Sequence, residues 1–161
     1  MKTILAALSI FSLNLIYAQT NIELKVPVTV QKLNTMFGKY TQFLFCGGDP
    51  EICAYGNEYI WQKTNCKIDG FSTESGDVAN NIDKIDIITI TAPKSVITVN
   101  GLSINKTTLS ACKLKYGSSF KKSLSNQYKI KTGNYWTYLT FNTKNILKEV
   151  VLVTWEYDTT G

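Results

Sequence analysis

Tyr135-Trp136-Thr137-Tyr138-Leu139-Thr140-Phe141 is a run of aromatic, β-branched and aliphatic side chains. Read as a strand, its period-two alternation sets Trp136 and Tyr138 on one face, against Tyr135, Leu139 and Phe141 on the other. A strand with large side chains on both faces either has cover on both or shows one row to solvent. Val96-Ile97-Thr98-Val99 and the run from Val150 to Tyr157 have the same β-rich composition, and in the latter Val151, Val153, Trp155 and Tyr157 share a face.

Working outward from that strand, Thr29-Val30-Gln31-Lys32-Leu33-Asn34-Thr35-Met36-Phe37-Gly38 places Val30, Leu33 and Phe37 on one helical face. Thr29 is positioned to cap its start and Gly38 to end it. Thr108-Leu109-Ser110-Ala111-Cys112-Lys113-Leu114-Lys115-Tyr116-Gly117 aligns with it without a gap, Thr to Thr and Gly to Gly. Each helix precedes a polar loop and a Trp strand, Gly56-Asn57-Glu58-Tyr59-Ile60-Trp61 in one case and Gly133-Asn134-Tyr135-Trp136 in the other. A β-rich run then closes each unit, Asn81 to Ile90 and Asn145 to Val153. The pattern predicts an α+β fold of two tandem short-helix plus antiparallel-sheet modules forming one compact unit, residues 19–93 and 94–161.

The residues before that unit read as a leader. Met1-Lys2 precedes an apolar stretch, Ile4 to Phe11, and Tyr17-Ala18-Gln19 ends it on a small residue, which predicts a signal peptide over 1–18. Ser9, Ser12 and Asn14 interrupt the stretch, which argues against a membrane anchor. A secreted or periplasmic protein with no membrane span is expected. In an oxidising compartment the four cysteines Cys46, Cys53, Cys66 and Cys112 are expected as disulfides. Sequence leaves three pairings open. The Gly47-Gly48-Asp49-Pro50 turn favours a local Cys46–Cys53 bridge, with Cys66–Cys112 then joining distant segments.

Composition narrows the chemistry. The chain of 161 residues carries 17 Lys against 12 acids and contains neither His nor Arg. Ser-His-Asp and Cys-His hydrolases and Cys/His zinc sites are excluded, as is bidentate recognition of phosphate by Arg. No CxxC pair is present, so no metal site and no cofactor is expected. Ser118-Ser119-Phe120-Lys121-Lys122 and Lys131-Thr132-Gly133 match Ser-x-x-Lys and Lys-Thr-Gly signatures, but they lie too close together for the acyl-transfer enzymes that use them. Asp83 and Asp86, with Glu74 and Asp77 nearby, offer carboxylates, yet on a strand the i, i+3 spacing sends the pair to opposite faces. No enzymatic activity is expected.

A short helix ending in Gly, a Trp/Tyr strand, and the strand Asn145-Ile146-Leu147-Lys148-Glu149-Val150 resemble the small periplasmic module shared by the BamE (SmpA/OmlA) family and β-lactamase inhibitory proteins. The usual Gly-Met-Thr entry to the helix is only approximated, by Gly101-Leu102-Ser103-Ile104-Asn105. In the inhibitor-type family two such modules stand in tandem and bind a target enzyme through their joined sheet. The resemblance thus implies either an inhibitor or an envelope assembly factor of the BamE kind.

Charge placement favours binding over catalysis. From Lys94 to Lys148 the chain holds ten Lys and no acid, whereas residues 19–93 hold nine acids and six Lys. Such a basic half steers acidic partners. Nucleic acid is disfavoured by export and by the lack of Arg. The expected partner is a protein, an enzyme or toxin with an acidic surface, held by Trp136, Tyr138, Trp155, Tyr157, Lys121 and Lys122. Exposed aromatics beside cations are the usual makings of a protein-binding hot spot.

Overall fold

The computed structural model describes residues 21–46, 56–73, 78–93 and 95–156. The leader over 1–18, Cys53, Glu74, Asp77 and Tyr157 lie outside the described residues. In chain order the elements are β1 (Asn21–Ile22), β2 (Val28–Thr29), α1 (Val30–Phe37), β3 (Gln42–Cys46), β4 (Gly56–Gln62), β5 (Lys67–Ser72), β6 (Lys84–Ile85) and β7 (Ile87–Thr91). After these come β8 (Ile97–Val99), β9 (Leu102–Ile104), α2 (Leu109–Tyr116), β10 (Lys121–Lys122), β11 (Gln127–Thr132), β12 (Tyr135–Phe141) and β13 (Leu147–Val153).

Eight of these strands hydrogen-bond into one sheet in the order β10-β11-β12-β13-β7-β5-β4-β3. Every neighbouring pair is antiparallel. β13 and β7 pair from Glu149↔Thr91 to Val153↔Ile87, so strands from both halves of the chain share one hydrogen-bond ladder. A second sheet, β1-β8-β9, has β1 parallel to β8. β2 and β6 form a third, two-stranded sheet.

This mostly β architecture corrects the expectation of an α+β fold built from two tandem helix-plus-sheet modules. Each helix is only eight residues long, about two turns. α1 buries Val30 and Leu33, and α2 buries Cys112 alone while leaving Leu114 90% exposed. Helices that bury so little cannot form a layer of their own, and the core is built by strands.

Both helices are capped as their sequences demand. Thr29 accepts a hydrogen bond from the Lys32 amide at 3.2 Å, and Thr108 accepts one from the Ala111 amide at 3.1 Å. Main-chain bonds from Val30 to Asp83 (3.0 Å) and from Gln31 to Asn81 (2.9 Å) tie the start of α1 to the turn before β6.

The core lies on one face of the large sheet. Tyr59, Trp61, Ile68, Ile88, Ile90, Leu139, Phe141, Val150 and Leu152 are buried there, together with the apolar residues of α1, α2 and the β1-β8-β9 sheet. Gly70 lets this packing close up: a Cβ on it would meet the Trp61 ring and Ile85 at 3.1 Å, a crowded contact. The β8–β9 hairpin turns on Asn100 and Gly101, with φ of 48° and 75°, the left-handed pair that two-residue hairpins favour. The Asn100 side chain then holds the N-terminal segment, accepting from the Leu24 amide at 2.8 Å and donating to the Leu24 carbonyl at 2.7 Å.

Cys66 and Cys112 are buried free thiols, which corrects the expected bridge between them. Cys112 points from α2 into the core and Cys66 closes the β4–β5 turn, where its carbonyl accepts from the Lys63 amide at 2.9 Å. Both act as small apolar core residues, and burial pushes both thiols above the ordinary range. The proposed Cys46–Cys53 pairing falls outside the described side chains.

Candidate functional site

Among the described residues α1, α2 and the small sheet all pack on one face of the eight-stranded sheet, and none of these elements lies over the other face. The strand registers fix what this face presents. One row across the sheet reads Lys121, Lys129, Tyr138, Val151, Thr89, Asp69, Ile60 and Gln42. The adjacent row reads Lys131, Trp136, Val153, Ile87, Phe71, Glu58 and Leu44. Both rows run from lysine at the β10–β11 end to carboxylate on β4 or β5.

At the basic end the face has its own small apolar cluster. Tyr138, Val151 and Val153 are buried, and Ile87 and Trp136 pack against them half-buried. The Lys129 and Lys131 ammonium groups each lie 5.8 Å from the Trp136 ring centroid, within cation–π range. Lys129 also pairs with Glu156 at 2.7 Å. Trp155, just past the end of β13, is 41% exposed. The arrangement is an aromatic platform flanked by cations. Lys67 and Asp69, paired at 2.8 Å, stand farther across the sheet, so the acidic region is already partly neutralised.

The structure therefore brings Trp136, Tyr138 and Lys121 to one face but changes their roles. Tyr138, beside Lys129 and Val151 in its row, is fully buried and cannot touch a partner, contrary to its expected contact role. Lys122 is exposed but pairs with Tyr128, in the row that faces the helices, so it does not join Lys121. Lys129 and Lys131 were missed as site residues. The signal was present, because Lys129 and Lys131 alternate along β11 in the period that puts them opposite Tyr138 and Trp136.

The carboxylates singled out in the sequence serve the scaffold. Asp83 accepts from the Tyr59 hydroxyl and, at 2.9 Å, from Asn57 Nδ2. Burial first, and the hydrogen bond to Asp83 second, raise the Tyr59 phenol above its ordinary range. The neighbouring Trp61 donates from Nε1 to Asn34 Oδ1 at 3.1 Å. Asp86 accepts from the Thr73 hydroxyl at 2.9 Å. The two acids thus hold different turns. Ser118 and Ser119 lie in a 3-10 turn after α2, and Lys131-Thr132-Gly133 runs from β11 into its hairpin turn.

On the helix side, an open groove of about 470 Å³ runs between the N-terminal segment, α1 and the β11–β12 turn. Lys25, Lys32, Met36 and Tyr135 line it. The Tyr135 hydroxyl is committed to the Leu24 carbonyl at 3.3 Å.

No protein-family model matches the chain, and no curated protein matches it. Among solved structures it is similar to a cysteine-rich secretory protein of Staphylococcus aureus, with a TM-score of 0.58 at 17% identity over 80% of this chain. The matched region spans 43% of that structure. It is also similar to a DUF4309 family protein of Bacillus subtilis, with a TM-score of 0.47 at 15% identity over 81% of each chain. At these identities the first likeness concerns the fold alone.

Proposed function

We propose that this chain is a secreted or periplasmic binding protein without catalysis, of the inhibitor or immunity type, which blocks a target enzyme or toxin through the basic end of its open sheet face. The observation that carries this reading is the Trp136 ring flanked by Lys129 and Lys131 at 5.8 Å each, on a face over which no helix lies among the described residues. Trp136 and Trp155 are the anchors, and Lys121 and Lys131 are the charges that meet an acidic partner. Rigidity suits the role, because a ring held by Tyr138, Val151 and Val153 loses little entropy on binding.

The test is affinity capture from the native envelope, identification of the retained enzyme or toxin, and an assay of that target's activity with and without this protein. Inhibition that weakens at least about tenfold in Lys121→Glu/Lys131→Glu supports the reading, since reversed rim charges slow association with an acidic partner. A captured target whose activity is unaffected, or inhibition indifferent to the reversal, overturns it. Retention of outer-membrane assembly components alone would favour the assembly-factor role that the BamE-type resemblance implies.

A further inference from the structure

Three elements build the helix-side groove. The N-terminal segment before β2 alternates, with Leu24 and Val26 buried and Glu23 and Lys25 exposed. Tyr135, next to the β11–β12 turn, fixes that segment: its hydroxyl accepts from Asn100 Nδ2 at 3.2 Å and donates to the Leu24 carbonyl. From α1 come Lys32 and Met36, one turn apart and so on the same side of the helix. Leu24, Val28, Met36 and Tyr135 give the groove an apolar lining, and its volume of about 470 Å³ lies within the range of small-molecule sites. The uncharged polar groups here are already used. The Leu24 carbonyl takes bonds from both Asn100 and Tyr135, and the Thr132 hydroxyl meets that of Thr137 at 3.2 Å. What remains is charge at the rim. Among the described residues the Lys25 and Lys32 ammonium groups have neither an ion pair nor a hydrogen bond. Glu23 is the one acid among the lining residues described, and it accepts from Asn21 Nδ2 at 3.4 Å. Its charge is felt in the groove, since burial first and Glu23 second hold the Tyr135 phenol above its ordinary range.

We propose that this groove binds a small amphipathic anion, a monocarboxylate on an apolar chain, with the carboxylate at Lys25 and Lys32 and the chain along Leu24, Val28 and Met36. Charge complementarity selects this occupant. Two unpaired cations outnumber one acid at the rim, and contacts between lysine and carboxylate are charge-assisted. With its inner donors and acceptors already engaged, the groove has little to offer a polar body such as a sugar. An apolar chain displaces water from the same surface and leaves no polar group unmet. A cationic amphiphile meets the same walls with the wrong charge. Tyr135 and Trp136 project to opposite faces of β12, so the groove and the Trp136 platform are separate surfaces, and the groove stands whether or not that platform binds a partner.

Titration of the whole protein with decanoate, followed by calorimetry and by the NMR signal of methyl-labelled methionine, tests this. The chain has two methionines, Met1 and Met36, so the Met36 methyl reports the groove directly. The expected result is one saturable site, with the Met36 methyl shifting at the same midpoint as the heat. Acetate, which lacks the chain, and decyltrimethylammonium, which reverses the charge, are each expected to bind at least about tenfold more weakly. Lys25→Gln/Lys32→Gln is expected to weaken decanoate about tenfold and Glu23→Gln to strengthen it about twofold, opposite signs that loss of the fold would not produce. Lys144→Gln, in the turn at the far end of β12, is expected to bind like wild type, and circular dichroism checks that every variant folds. Absence of saturable binding, which a groove already filled by a second copy or by another part of the chain would give, overturns the proposal. So do an unmoved Met36 methyl, equal affinity for the cationic amphiphile, or charge variants that fold and bind decanoate like wild type.

Discussion

Trp61 and Trp136 stand in look-alike segments, Gly56-Asn57-Glu58-Tyr59-Ile60-Trp61 and Gly133-Asn134-Tyr135-Trp136, yet they face opposite sides of one sheet. Trp61 is fully buried, 6.2 Å from the rings of both Tyr40 and Tyr59, with its indole N–H satisfied by Asn34. Trp136 is half-buried, and its neighbours are two lysines. A shared local motif does not settle what a side chain does. The strand's parity relative to the covered face settles it, since a one-residue change moves every side chain to the other side. On the helix side aromatic and polar groups hold the fold together, and on the other side, under the proposed function, Trp136 and its lysines are the groups that meet a partner.

The comparison breaks most visibly if Trp61→Ala is tolerated. Loss of a fully buried indole is expected to cost about 3–5 kcal/mol, read by denaturant unfolding, because a large cavity opens between β4 and α1. Next in size is Asp83→Ala. It removes the acceptor shared by Tyr59 and Asn57, and an expected loss of about 1–3 kcal/mol follows from leaving those donors unmet in the covered side. A smaller and pH-dependent effect concerns the buried acids Tyr59, Tyr135, Cys66 and Cys112, all pushed above their ordinary values chiefly by burial. The folded protein holds these protons more tightly than the unfolded chain. Their contribution is therefore complete below the ordinary thiol and phenol range and is lost as pH rises from that range through the raised folded values. Thermal melts from neutral to strongly alkaline pH are expected to show a falling midpoint, and the two thiols to resist alkylation until the protein unfolds. Smallest of all, Lys131→Glu on the open side is expected to change stability by no more than about 0.5 kcal/mol, measured by the same unfolding assay.

Much of this molecule was legible in local pattern. The helices at Val30 and Leu109 announce themselves by a capping Thr and a closing Gly, and the opposite faces of β12 follow from simple alternation. The architecture was not, because the pairing of β13 with β7 joins residues far apart in sequence and leaves no local trace. Val96 to Val99 reads as β, as β8 is, but Asn100-Gly101 is a strong hairpin signal, and reading the residues after it as an approach to a helix concealed β9. At the site, period-two alternation identified Trp136 and Tyr138 as sharing a face, but not that Val151 and Val153 bury the tyrosine beside the tryptophan. Lys122 was misplaced for the same reason: only the register with Tyr128 shows that it belongs to the helix side.

The account stands most directly on the binding of Trp136→Ala to the captured target, measured by isothermal titration alongside the variant's melting temperature. An affinity weakened by about 2 kcal/mol, roughly thirtyfold, with the fold intact, is the predicted result. Wild-type affinity in a folded Trp136→Ala protein would contradict the assignment of the open face as the binding surface.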